Sequence, residues 1–170
     1  INWAIINGEK ETGVTTFFLK HEIDTGSIIF QDKETILETD DAGSLYERLM
    51  HKGANLVLKT VQAIEQGNYP SLPQSNATEI KHAPKIFKET CEINWNQPSK
   101  KIIDFVRGLS PYPAAWTKIN DKVYKVFRCS LSNIQQSTID SQPWATDNKT
   151  FLTIKTTDGW VSIDEFQPEG

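Results

Sequence analysis

The first half of the chain contains a helical pattern of hydrophobic and polar positions. From Ser44 onward, most apolar residues recur three, four or seven positions apart, at Leu45, Leu49, Leu56, Val57, Val61 and Ile64. This spacing places them on one face of an amphipathic helix. Residues 39–41, Thr-Asp-Asp, offer side chains that cap free amides at a helix start, and Gly67-Asn68 is typical of a helix end. The pattern therefore predicts a helix over residues 44–66.

Two strands are predicted before this helix, because β-branched and aromatic residues cluster in two short runs. The first run covers residues 14–19, and the second begins at Ile28 and continues toward Ile36. Residues 1–6 indicate the end of a short helix that stops at Asn7-Gly8. The first half of the chain thus mixes helix and strand.

The sequence Asp24-Thr25-Gly26 separates the two strands. Buried strands avoid Asp and Gly, so we expect Asp24 to lie on a turn for which Gly26 supplies the backbone freedom. A carboxylate held there against apolar neighbours is a candidate for proton transfer. The alternative is an Asp-Thr-Gly turn without any chemistry.

The second half predicts a separate domain. Residues 68–90 have no clear period and contain three prolines, which is typical of a linker. Pro98 lies in the first turn of a predicted helix that ends at Ser110-Pro111, because a residue before proline disfavours helix. Strands are then expected over 115–119, 123–131, 151–156 and 160–163, with a polar loop over 132–148. Several short strands at this spacing predict an OB-like barrel, a fold that commonly binds nucleic acid.

Composition limits the class of protein. A chain of 170 residues suits one large domain or two small ones. It contains no apolar run near the roughly 20 residues that span a bilayer, and no secretory signal is recognisable. Cys91 and Cys129 lack metal-site or disulfide-framework spacing, so a reducing cytoplasm is expected. The absence of an initial Met and the strand close to residue 170 lead us to expect a piece of a longer protein.

Charge is distributed unevenly along the chain. The formal net charge is -4, yet residues 100–128 contain seven Lys or Arg against only Asp104 and Asp121. This basic patch fits either a polyanion partner or a solvated surface.

Several short motifs together resemble a known family. Asn7-Gly8-Glu9, residues 11–15 (Glu-Thr-Gly-Val-Thr) and Asp24-Thr25-Gly26 resemble the later part of the 10-formyltetrahydrofolate-dependent formyltransferase catalytic domain. Residues 82–86 (His-Ala-Pro-Lys-Ile), 93–95 (Ile-Asn-Trp) and 107–116 resemble the C-terminal domain of the methionyl-tRNA formyltransferases. Each motif is weak alone, but their order and spacing are specific.

The resemblance implies a fold and an activity. Residues 1–67 would be an α/β remnant of a Rossmann-like formyltransferase domain, residues 68–90 a linker, and residues 91–170 an OB-like tRNA-binding barrel. The implied reaction moves a formyl group from 10-formyltetrahydrofolate to the α-amine of initiator methionyl-tRNA, for translation initiation. It implies a cytoplasmic monomer without a metal or a membrane partner.

The resemblance also assigns site residues. Asp24 matches the family's catalytic Asp, and the backbone around Glu22 and Ile23 would form part of the folate pocket. The family's catalytic Asn and His would lie before Ile1, so the isolated chain is expected to be inactive. The basic residues expected to contact tRNA phosphates are Lys85, Lys88, Lys100, Lys101, Arg107, Lys118, Lys122, Lys125 and Arg128.

Aromatic residues and histidines have less specific interpretations. The candidates for stacking on nucleotides are Trp95, Tyr112, Trp116 and Tyr124, and for these a core position is the favoured expectation. His21 and His51 are expected to have surface roles, and His82 belongs to the motif in the predicted linker.

Three alternatives compete with this interpretation. Residues 23–27 resemble the aspartic-protease motif, but no second copy follows, the later apolar-Gly-Arg segment is missing, and the long helix argues against an all-β protease. A formyltransferase acting on an amino-sugar nucleotide is a second alternative. The third is an RNA-binding module without catalysis.

Overall fold

The computed structural model describes residues 1–74, 81–132 and 143–168. Packing divides the chain into two units that are discontinuous in sequence. The hairpin unit comprises residues 10–38 and 44–84, and the sheet unit comprises residues 1–9, 39–43 and 85–170. The domain boundaries expected from the sequence stay a prediction.

The hairpin unit contains two antiparallel strands and one long helix. Strand β1, Glu11–Phe17, pairs with strand β2, Ile28–Thr35. The second strand is confirmed, whereas the first starts three residues earlier and ends two residues earlier than predicted. The bounds of the first strand are set by its pairing with the second, which extends from Glu11 opposite Thr35 to Phe17 opposite Ile28. The composition of the first strand alone does not encode this register.

Helix α2, Ala42–Glu65, confirms the predicted long helix but buries only part of its apolar residues. Leu45 and Leu56 are buried, whereas Val57, Val61 and Ile64 are 41–54% exposed. At about 100° per residue, the exposed residues lie on a stripe beside the buried one. The predicted apolar face is therefore buried only in part, because periodicity does not show which stripe of a helix is covered.

The sheet unit combines two helices with a five-stranded antiparallel sheet. Helix α1 is Asn2–Ile6, helix α3 is Ser99–Leu109, and a 3₁₀ turn covers Lys88–Cys91. The strands, in the spatial order β3-β4-β7-β6-β5, are β3, Ala115–Ile119, β4, Lys122–Leu131, β5, Trp144–Thr146, β6, Leu152–Lys155, and β7, Trp160–Pro168.

Most of these elements confirm the sequence predictions. The exception is β5, which lies at the end of the predicted polar loop, of which residues 133–142 lie outside the described residues. Three residues between Pro143 and Asp147 are too few to show strand alternation. Strands β3 and β5 are the outer strands of the sheet, so closure into an OB-like barrel stays a prediction.

The core of the sheet unit lies between helix α3 and the sheet. Ile102 and Val106 from the helix pack with Val126 and Val161 from the strands, and all four are buried. Each such side chain contributes about 1.5–3 kcal/mol on burial. This core holds the loop after helix α3 and the strands beside it in fixed positions.

Both cysteines are free and buried. Burial raises the pKa of the Cys129 thiol to about 12 and also raises the pKa of the Cys91 thiol. Thiols in this state stay protonated, so neither is a candidate nucleophile.

The first turn of helix α3 is capped from another part of the unit. The carboxylate of Asp158, in the turn between β6 and β7, accepts hydrogen bonds from the Ser99 backbone N–H at 2.7 Å and from its hydroxyl at 2.8 Å. These bonds, the backbone one first, lower the pKa of Asp158. A cap of this kind satisfies an amide that the helix itself leaves free.

We therefore expect Asp158→Ala to lower the melting temperature of the chain by a few degrees at neutral pH. The lowered pKa means that the contribution is complete above the unfolded value of about 3.9 and is lost as the pH falls further through the folded value. Thermal melts of both proteins from pH 7 to pH 3 test this, because the difference between them must shrink toward acid. Equal melting temperatures at neutral pH would contradict the capping role, and Glu89→Ala, which removes an exposed carboxylate from the 3₁₀ turn, is the control.

Candidate active-site loop and nucleic-acid interface

The loop between β1 and β2 places Asp24 at the surface of the hairpin unit. Residues 21–25 are exposed, and Asp24 has φ of +56°. Asp is one of the few non-glycine residues that adopt this left-handed conformation. The sequence assigned the turn's backbone freedom to Gly26, and that assignment was wrong, because Asp24 makes the left-handed turn itself.

Gly26 is required for a different reason. It is buried, and a Cβ atom at this position would lie 1.4 Å from the carbonyl oxygen of Phe18. The two backbone segments at the base of the loop approach so closely that only glycine fits. The adjacent hydrogen bond from the Phe18 N–H to the Ser27 carbonyl, 2.9 Å, fixes that approach.

A distant side chain clamps the loop. The side-chain amide of Gln74 donates hydrogen bonds to the carbonyl oxygens of Asp24, at 2.7 Å, and of Gly26, at 2.9 Å. Within the loop, the Thr25 hydroxyl donates to the Glu22 carbonyl at 3.1 Å. Sequence reasoning missed Gln74, because it lies in the predicted linker, 48 residues beyond Gly26, and no local signal marks it.

The predicted folate residues share this exposed loop. Glu22 is exposed, and Ile23 is 88% exposed. The expectation that Asp24 is held against apolar neighbours was wrong for this chain, since its side chain is exposed too. The loop therefore presents a carboxylate and an apolar side chain together on a clamped backbone.

Three of the predicted tRNA-binding residues have partners inside the sheet unit. Arg107 donates to the Asp104 carboxylate at 2.8 Å and to the Asp40 carbonyl at 3.0 Å, and its side chain is only 11% exposed. Lys100 binds the same carboxylate at 2.7 Å, and Arg128 pairs with Glu165 at 2.8 Å. Arg107 therefore has a structural position, which a basic residue near the end of a helix does not reveal by composition.

The other predicted basic residues differ in their surroundings. In the described part of the chain, ion pairs are not formed by Lys85, Lys101, Lys118, Lys122 or Lys125. The ammonium of Lys118 lies 5.8 Å from the centre of the Trp116 ring, and that of Lys85 lies 5.4 Å from the centre of the Phe87 ring. Two of these lysine ammonium groups therefore lie over aromatic rings of the sheet unit.

Phe87, Trp116 and Lys125 line a groove that we call the aromatic groove. Its cavity volume is about 450 Å³, and its walls include Ile86, Phe87, Lys88, Tyr112, Trp116 and Lys125. The peptide bonds before Pro111 and Pro113 are cis, and Ala114 beside them has φ of +73°. The loop after helix α3 forms one wall of the groove, and the 3₁₀ turn forms another.

The structure separates the four aromatic candidates. The Trp95 indole N–H donates to the Thr117 hydroxyl at 3.0 Å, and Tyr124 packs edge-on against Phe166. Trp95 and Trp116 both pack against the core, so the favoured core position is confirmed for these two, whereas for Tyr124, half-buried beside the exposed Phe166, it stays a prediction. It was wrong for Tyr112, which is 83% exposed.

Family models match both parts of the chain. The model of the formyl transferase C-terminal domain covers residues 85–170, and the formyl transferase model covers residues 1–61. The chain belongs to the formyl transferase family. This membership confirms the resemblance that the sequence motifs carried.

The chain is similar to several individual formyl transferases and spans only part of the length of each. A methionyl-tRNA formyltransferase of Bacteroides fragilis is 48% identical over the whole chain, which spans 55% of that relative. An N-formyltransferase from Helicobacter canadensis, solved with folinic acid and dTDP-3-aminofucose, superposes with a TM-score of 0.72 at 25% identity, over 98% of this chain and 59% of that one. HypX from Aquifex aeolicus, solved with tetrahydrofolic acid, gives 0.71 at 23%, over 99% and 29%.

Two further features of the described residues concern metal ions and membranes. Among the described residues, no group of three or more His, Cys, Asp or Glu side chains is arranged to hold a metal ion. The helices of the described segments are all too short or too polar to cross a membrane. His21 and His51 are exposed, in agreement with the surface roles expected of them, and His82 is exposed too.

Proposed function

We propose that the full-length protein transfers a formyl group from 10-formyltetrahydrofolate to the α-amine of initiator methionyl-tRNA. The observation that carries the proposal is the 48% identity of the whole chain to a methionyl-tRNA formyltransferase. The Asp24 loop offers a carboxylate for the reacting amine, and the sheet unit offers cations for RNA. We infer a cytoplasmic monomeric enzyme that acts in translation initiation.

The proposed reaction requires proton movement at two nitrogens. A bond forms between the amine nitrogen and the formyl carbon, and the bond between that carbon and the folate nitrogen breaks. The attacking amine loses a proton, and the departing folate nitrogen gains one. Asp24 serves this step as a carboxylate that orients and charges an imidazole or passes the proton through water.

The Asp24 loop also fits the formyl donor. Ile23 is 88% exposed on a loop that is otherwise polar, and an exposed apolar side chain suits contact with a flat ring system. The Gln74 clamp holds the neighbouring carbonyls in place, so the backbone around Glu22 and Ile23 is fixed before a ligand arrives. We assign this backbone to the folate pocket.

The sheet unit is proposed to bind tRNA as an OB-like module. The residues that we assign to phosphate contacts are Lys85, Lys88, Lys101, Lys118, Lys122 and Lys125. Lys100 and Arg128 form ion pairs but remain exposed, so we assign them to phosphate contacts as well. Arg107 is nearly buried, so we propose that it stabilises the tRNA-binding surface without contacting a phosphate. Contacts of this kind position the RNA without reading its sequence.

Affinity for tRNA is expected to fall steeply with salt, because each phosphate contact releases counterions. Six of the eight proposed contacts alone correspond to a loss of about 10³-fold between roughly 50 and 200 mM salt. Fluorescence anisotropy of labelled methionyl-tRNA at several salt concentrations measures the slope. Each Lys→Ala change at Lys118, Lys122 or Lys125 should reduce it by about 0.9. Lys155→Ala on β6 is the control, and a slope that salt leaves flat would remove the tRNA surface.

Activity assays with each candidate substrate in turn test the proposed function directly. The full-length protein is incubated with 10-formyltetrahydrofolate and either methionyl-tRNA or a dTDP-linked amino sugar, and formylated product is quantified by mass spectrometry. We expect product only with methionyl-tRNA. Product only with the amino sugar would transfer the function to the class of the Helicobacter canadensis structure. Binding of tRNA without formylation of either substrate would support an RNA-binding module instead.

A further inference from the structure

The aromatic groove has no role in the formyl-transfer chemistry described above. We propose that it binds one unpaired nucleotide of the tRNA, with the base stacked on Tyr112 and the adjoining phosphates held by Lys88 and Lys125. The proposal rests on the proposed tRNA substrate and names the part of the RNA that this site takes.

The walls of the groove are built rather than incidental. Trp116 on β3 and Lys125 on β4 are register partners, so both side chains lie on the same face of the sheet. The Trp116 indole N–H donates to the Lys88 carbonyl at 2.7 Å, which fixes the 3₁₀ turn against that face. A cavity of about 450 Å³ lies within the roughly 300–1,000 Å³ of sites that take small ligands.

Tyr112 is the exposed ring of this groove. It lies between Pro111 and Pro113, and 83% of its surface is exposed. The neighbouring Trp116 packs against the core, so the fold accounts for its ring, but packing does not account for a ring as exposed as that of Tyr112. Bases of every type stack on such a ring, which suits an unpaired nucleotide.

Charge in the groove favours a phosphate. Lys88 and Lys125 line it, and the ammonium groups of Lys85 and Lys118 lie above the Phe87 and Trp116 rings. Among the described residues that line the groove, none is acidic. A second groove of the sheet unit, about 550 Å³ in volume, is lined by the acidic Glu92 as well as by Lys101, so its charges are mixed. The aromatic groove thus combines the exposed Tyr112 ring with lysines in walls whose described residues include no acid.

The test uses the full-length protein and labelled methionyl-tRNA in anisotropy measurements. We expect Tyr112→Ala to weaken tRNA binding about 5- to 100-fold, because the loss of one stacked base has that effect. Tyr112→Phe keeps the ring and should bind within about twofold of the wild-type protein. Leu131→Ala removes a different exposed apolar side chain of the sheet unit and is the matched control. Thermal melts establish that the variants fold, since Tyr112 has little surface to lose from packing.

Ultraviolet crosslinking followed by mass spectrometry locates the nucleotide. A crosslink between an unpaired tRNA nucleotide and residue 112 is the expected result. Wild-type affinity of Tyr112→Ala, or equal losses for Tyr112→Ala and Tyr112→Phe, would overturn the stacking site. Displacement of the crosslink by micromolar dTDP would identify a free nucleotide as the ligand and would overturn the RNA assignment. Formylation assays of the wild-type protein report on the proposed function separately, so its failure is distinguishable from failure of this site.

Discussion

Asp24→Asn in the full-length protein is expected to lower kcat for formyl transfer to methionyl-tRNA about 10²- to 10⁴-fold, the usual effect of losing a group that moves a proton in the transition state. Asn has the size of Asp and also tolerates the left-handed conformation found at this position, with φ of +56°. The Gln74 bonds go to backbone carbonyls of the loop, so they do not depend on the carboxylate. The substitution therefore removes charge while the loop keeps its shape.

Single-turnover kinetics with saturating 10-formyltetrahydrofolate and methionyl-tRNA measure this effect on the chemical step. Lys33→Ala, an exposed change on β2 of the same unit, is the matched control and should stay within about twofold of the wild-type rate, as is usual for a surface substitution. If Asp24→Asn retains kcat within the range of that control, the carboxylate has no catalytic role. The Asp-Thr-Gly sequence would then be a turn and nothing more.

The second large effect concerns the stability of the sheet unit. Asp104→Ala is expected to cost about 3–5 kcal/mol in the free energy of unfolding, the range found when one partner of a buried ion pair is removed. The Asp104 side chain is 6% exposed and binds both Lys100 and Arg107. Its loss leaves the Arg107 guanidinium, 11% exposed, without its carboxylate in a site that water barely reaches.

Urea unfolding of the 170-residue chain, followed by tryptophan fluorescence, measures this cost through the midpoint. Glu165→Ala removes one partner of the exposed pair with Arg128 and should shift the midpoint very little, because solvent screens such pairs. Equal shifts for the two variants would contradict a special role for the buried pair. Arg107→Ala should resemble Asp104→Ala, whereas a residue needed only for tRNA would leave the midpoint unchanged.

Arg107 illustrates what sequence reasoning missed in the candidate site. Its position in a basic segment predicted a phosphate contact, and the structure places it between Asp104 and the Asp40 carbonyl. Asp40 is 67 residues away in sequence, so no local pattern reveals the contact. Gln74 was missed for the same reason, since its value to the loop depends on a contact 48 to 50 residues away.

Gly26 and Asp24 show a subtler limit. Gly26, two residues after Asp24, was expected to supply the backbone freedom of the turn, because glycine adopts the left-handed conformation most easily. The structure gives the left-handed conformation to Asp24 and leaves Gly26 to fit beneath the Phe18 carbonyl. Composition identified the turn correctly, but the distribution of roles within it depends on how two backbone segments approach each other.

The sequence by itself determined the elements and the family. Local forces decide helix α3, which ends where prolines follow, and helix α2, whose apolar residues repeat at a helical period, so short windows contain the information. Only the tertiary structure decided which stripe of helix α2 is buried and which basic side chains form ion pairs. It also decided that the Tyr112 side chain is exposed beside a groove. These facts depend on pairings between residues distant in sequence, and the free energy of such pairings is set by the three-dimensional packing rather than by either residue's neighbours.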